Sequence, residues 1–90
     1  MSDFNTYELQ ARYTHVKSHY GKAMVIETED VISLKSYSTI VARFYKDDDR
    51  LDIYGTYSNT TMRHLKDFIN QHTPYYVDNN DDIRRLIKWN

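Results

Sequence analysis

A chain of 90 residues that is 40% hydrophobic and 28% charged, with two glycines and one proline, has the balance of one small globular domain and lacks the bias of a disordered tail. The absence of cysteine excludes a disulfide framework, a thiolate nucleophile and a sulfur-ligated zinc site. A formal net charge of -1 gives no global pull towards polyanions, and no run approaches the roughly 18 apolar residues of a membrane span. A single cytosolic domain over residues 1–90, without membrane attachment, is therefore expected.

In chain order, residues 1–20 carry the weakest pattern. Tyr7, Ala11 and His15 share a helical face, yet Tyr13, His15 and Lys17 also fit strand alternation, and a helical or irregular lead-in is expected. Met24 to Glu27 is short, apolar and β-branched after Gly21, which predicts a strand. Ile32 and Leu34 then alternate with Ser33 and Lys35, the period of a half-buried strand. From Thr39 to Lys46 the alternation puts Ile40, Ala42 and Phe44 on a core face and Val41, Arg43 and Tyr45 on the opposite one. Asp47, Asp48 and Asp49 close a hairpin to a last strand, in which Leu51 and Ile53 alternate with Asp52 and Tyr54.

After Tyr57 the period changes. Met62, Leu65, Phe68, Ile69 and His72 fall on one arc of a helix over Ser58 to His72, with Arg63, Asp67 and Asn70 opposite. Ser58, Asn59 or Thr60 can cap its start, and Pro74 ends it by pushing Thr73 out of the helical region. Ile83, Leu86 and Ile87 mark a shorter helix over Asp81 to Trp89, with acidic residues at its start and basic ones towards its end. The expected fold class is α+β: a three- to four-stranded antiparallel meander sheet, with one amphipathic helix and a short C-terminal helix packed on one face.

Chemistry-bearing patterns are sparse. His15 and His19 have the spacing of two metal ligands on a helix, but no third ligand accompanies them and the glutamate of an H-E-x-x-H motif is missing. Asp78, Asn80 and Asp82 begin like a calcium loop, but Ile83 stands where that loop needs glycine and Trp89 where it needs glutamate, so helix capping accounts for them better. The acidic run Asp47 to Asp49, flanked by Lys46 and Arg50, reads as a solvated turn. No nucleophile elbow and no phosphate-cradling glycine loop is present, and nothing by spacing singles out His64 as half of an acid–base pair. No catalytic residue, metal or cofactor is expected.

Binding is the better expectation. Nine tyrosines supply large contact area with polar tips, and Val41, Tyr45, Tyr54 and Tyr37 are expected on the uncovered sheet face, with Tyr57 at a sheet edge. Arg63 and His64 begin the long helix without serving its apolar stripe, although cations are disfavoured near that positive end. With Lys66 they are the first candidates for contact with a partner. A nucleic-acid reading would use Arg63, Lys66, Arg84, Arg85 and Lys88 against phosphates.

The segments S-H-Y-G-K-A (Ser18 to Ala23), S-Y-S-T-I-V-A (Ser36 to Ala42) and Y-S-N-T-T-M-R-H-L-K-D-F-I (Tyr57 to Ile69) resemble an uncharacterised family of small phage and prophage proteins. The resemblance implies a genomic setting and no mechanism. Together with small size and missing chemistry, it leads to the expectation of a stoichiometric binder of a host protein in the bacterial cytoplasm. An inhibitor of a defence system such as a CRISPR effector is the expected type. Self-association into a dimer and nucleic-acid binding are the alternatives.

Overall fold

The computed structural model describes residues 5–19, 21–54 and 58–87. Its elements are β1 (Asn5–Glu8), β2 (Ala23–Glu27), β3 (Val31–Ser36), β4 (Thr39–Tyr45), β5 (Arg50–Ile53), α1 (Asn59–His72) and α2 (Asn80–Leu86). The strands form one antiparallel sheet in the order β1-β2-β3-β4-β5. The α+β meander holds, with one strand more than expected.

The additional strand is β1, inside the segment expected to be helical or irregular. Tyr7 lies opposite Val25 and is its one inward aromatic; its ring stands 5.8 Å from the His72 ring, and its hydroxyl donates to Glu27 Oε1 at 3.0 Å. A four-residue edge strand with a single inward apolar residue leaves no alternation to read. The pairing ends as Leu9, 1% exposed, donates its N–H to Ala23 O. Residues 10–19 then run as irregular chain across one flank of α1.

Opposed residues place Val25, Leu34, Ala42 and Ile53 in one inward row and Ile32, Phe44 and Leu51 in the next. Met62, Leu65, Phe68 and Ile69 of α1, with Ile83 and Ile87, close the core over them. The β4 face assignment needs one correction. Val41, expected on the uncovered face, is 2% exposed, and Ile40, expected in the core, is only partly buried. Leu34 pairs with Ala42 but Lys35 pairs with Ile40, so Val41 is an extra residue in the ladder; such a bulge reverses the alternation beyond it.

Ser58 caps α1, its side chain accepting from Thr61 N, and the Thr73 N–H bonds back to Ile69 O ahead of Pro74. Asn79 caps α2 in the same way through Asp82 N. Between the helices the Asn70 amide brackets Val77, donating to its carbonyl and accepting from its N–H at 2.8 Å each, which fixes the extended chain after α1. No helix is long and apolar enough to cross a membrane among the described residues.

Candidate functional site

The α1 helix is buried over a wider arc than its apolar stripe: Thr61, His64 and Asp67 are buried beside Met62, Leu65, Phe68 and Ile69. The irregular chain at residues 10–19 covers the Asp67 flank that the sequence pattern assigned to water, while Ser36 at the end of β3 meets Thr61 and His64. Asp67, placed on the polar side from sequence, is 0% exposed. Its Oδ1 accepts from the N–H groups of Arg12 (2.9 Å) and Tyr13 (2.6 Å) and from Gln71 Nε2 (3.3 Å). Its Oδ2 accepts from Thr14 Oγ1 at 3.0 Å and faces His19 Nε2 at 2.7 Å. A buried carboxylate is tolerable only when so completely bonded.

His64, expected at the surface for a partner, is instead 1% exposed. Its Nδ1 stands 2.8 Å from Ser36 Oγ, which in turn lies 3.1 Å from Thr61 Oγ1; the Ser58 hydroxyl donates towards Thr61 Oγ1 at 3.5 Å. The His19 ring meets that of His64 edge-on at 4.7 Å between centroids. Burial first, then the neighbouring His19, Arg63 and Lys22 charges, push the His64 imidazole down to about 4, with Asp67 opposing.

Ser36 and His64 stand at the distance of a nucleophile and its base, but the chemistry is poorly served. Ser36 is 2% exposed, its Oγ is shared with Thr61, and an imidazole held at about 4 is a weak base at neutral pH. Asp67 orients His19, not the ring that touches the serine. Among the described residues no group of three or more His, Asp or Glu could hold a metal ion. His15 is exposed while His19 is buried on Asp67, and neither lies on a helix.

An open pocket of about 220 Å³ lies over the His64 ring, lined by Val16, Ser18, His19, Lys22, Tyr37, Thr60, Arg63 and His64. Tyr37 belongs here and not to the uncovered sheet face: its ring is 5.9 Å from His64, with Lys22 Nζ 5.8 Å from its centroid. Arg63 remains exposed and donates to Thr60 Oγ1 at 3.3 Å. Lys66 is half-buried on the same helix.

The opposite side of the sheet holds a second constellation. Tyr45 and Tyr54 both lie on the face that no described helix covers, as the alternation from the inward residues Phe44 and Ile53 requires. The Arg50 guanidinium sits 4.3 Å from the Tyr45 ring centroid and that of Arg43 5.7 Å from Tyr54. By the strand register Met24, Ile26, Val31 and Ile40 share this face, each half-buried, and Val31 lies directly opposite Tyr45. Of the cations proposed for nucleic acid, Arg84 pairs with Asp81 at 2.9 Å and Arg85 with Asp82 at 3.6 Å, which neutralises that helix face. Tyr57 and Lys88 lie outside the described residues.

The fold and its two surfaces define a small open-sheet α+β domain with a buried Ser–His–His–Asp polar cluster beneath one helix. The chain belongs to a family of unknown function, DUF8033, whose family model matches residues 7–85. No match is found among curated proteins or among solved structures.

Proposed function

We propose that this protein acts stoichiometrically by binding a host protein through the open sheet face around Tyr45 and Tyr54. The observation that carries the reading is the pairing of two tyrosines of this face, the half-buried Tyr45 and the exposed Tyr54, with arginines, Arg50 on Tyr45 and Arg43 on Tyr54. Tyrosine and arginine dominate interface hot spots because they combine rigid area with directed hydrogen bonds. The half-buried Met24, Ile26, Val31 and Ile40 supply apolar ground on the same face. The phage setting implied by the sequence resemblance makes a bacterial defence system, such as a CRISPR effector, the class of target. Inhibition then requires only occupancy.

A photo-crosslinking residue at position 54 tests this directly, with one at Arg85 on the ion-paired helix face as control. The expected result is one dominant host protein crosslinked from position 54 alone, and its loss on Tyr45→Ala. Equal labelling from both positions contradicts the reading. A dominant crosslink to a second copy of the chain replaces the host partner with a homodimer.

A second reading is favoured by the same arginine–tyrosine pairs, since bases stack on aromatic rings of open sheets. It transfers the nucleic-acid alternative from the helices to the sheet face. Binding to single-stranded oligonucleotides that falls steeply with salt supports it, and no association at low salt removes it.

A further inference from the structure

We propose that the pocket formed by Lys22, Tyr37, Thr60, Arg63 and His64 is a binding site for a phosphate monoester, independent of the sheet face. The lining contains two cations and no carboxylate. Among the described residues no acidic side chain pairs with Lys22 or Arg63, a trait they share with Arg12, Lys17, Lys35, Arg43 and Lys66, whereas Lys46, Arg50, Arg84 and Arg85 each have at least one. Arg63 is held at the rim by Thr60 Oγ1, and Lys22 approaches from the lead into β2. Two cations from different parts of the chain thus converge on one cavity whose described lining holds no carboxylate.

The floor is built for a neutral donor. Ser58 donates towards Thr61, and a donor chain that runs on in that direction through Ser36 would make His64 Nδ1 an acceptor. The imidazole, neutral at pH 7 because burial and nearby positive charge hold it low, then carries its proton on Nε2, for which the described residues offer no other partner. In that tautomer Nε2–H remains for an oxyanion beside Lys22 and Arg63. A carboxylate ligand would satisfy one cation; the two cations and a neutral N–H match the extra charge and oxygens of a phosphate monoester better.

Tyr37 adds an organic wall. It lies in the turn between β3 and β4 with φ 57°, a left-handed conformation that non-glycine residues seldom take, and its ring is 52% exposed at the mouth. Keeping tyrosine where glycine would fit more easily is explained if the ring serves the ligand. A space of 220 Å³ exceeds the ~30 Å³ of a single water several-fold, so it accepts a phosphate group with room beside it.

The test is an NMR titration of the full chain with inorganic phosphate and, separately, with adenosine 5′-monophosphate. Saturable shifts at Lys22, Tyr37, Arg63 and His64 are expected. Lys22→Gln and Arg63→Gln should each weaken binding by roughly 10-fold or more, the scale of one charge-assisted contact. Lys66→Gln, the same charge change on the same helix, should leave it unaltered. Tyr37→Gly relieves the turn, so the fold persists, and binding of the nucleotide should weaken. Tighter binding of the nucleotide than of inorganic phosphate supports a monoester site, and equal or weaker binding overturns it. No saturable shift with either ligand, or equal weakening by Lys66→Gln, overturns the site.

Discussion

Asp67 removes a carboxylate from water and gives it five partners, four of them on the lead-in chain (Arg12, Tyr13, Thr14 and His19) and one, Gln71, on its own helix. Asp67→Ala leaves those donors unpaired in a buried place and should lower stability by about 3–5 kcal/mol in urea unfolding, the range for breaking a buried charged pair. Asp67→Asn keeps an acceptor oxygen and should cost less. His64 sets a pH dependence whose sign is fixed by its depressed folded value. The unfolded ring titrates near 6.5 and the folded one near 4, so the unfolded state binds the proton more readily between them. Its contribution is complete above about pH 6.5 and is lost as pH falls towards 4, on the order of 3 kcal/mol in all. Unfolding free energies of wild type and His64→Asn at pH 7.5 and 4.5 measure it: wild type should lose more on acidification than the variant. Neither role was legible in the sequence. Asp67 looks like any solvent-facing helical acid, because the amides that bury it come from 54 and 55 residues away.

At the scale of elements, periodicity carried most of the information. The helix starting at Ser58 follows from the apolar arc and the capping side chain, and the structure gives Ser58 as its N-cap. Ser58→Ala should therefore cost ~1 kcal/mol of stability, read from the shift of the denaturation midpoint. The Asn70 clamp on Val77 holds the connection to α2 through two side-chain bonds. Asn70→Ala should speed hydrogen exchange at the Val77 amide while α1 stays protected, since only the local opening becomes cheaper. Two elements escaped the pattern for different reasons. β1 has too few inward residues to show a period, and the Val41 bulge breaks a period that is otherwise clean on both sides of it. A bulge is set by ladder geometry across two strands, so the order of residues in one strand does not announce it.

On the scale of the whole molecule, a single sheet carries two unlike surfaces. One is roofed by helices and ends in a basic pocket; the other, covered by no described helix, carries the arginine-stacked tyrosines. Sequence alternation already placed Tyr45 and Tyr54 together on the open side, whereas Tyr37 and His64 moved to the pocket because the β3–β4 turn and the lead-in chain meet over the start of α1. We propose the open face as the working surface, and the double variant Tyr45→Ala/Tyr54→Ala separates that role from the fold. Both side chains are outside the core, so its unfolding free energy should stay within about 1 kcal/mol of wild type. The decisive measurement is the crosslink from position 54, repeated with Tyr45→Ala. One dominant host protein, lost in the variant, is the expected result; crosslinking that is the same from Arg85, or unchanged without Tyr45, contradicts the account.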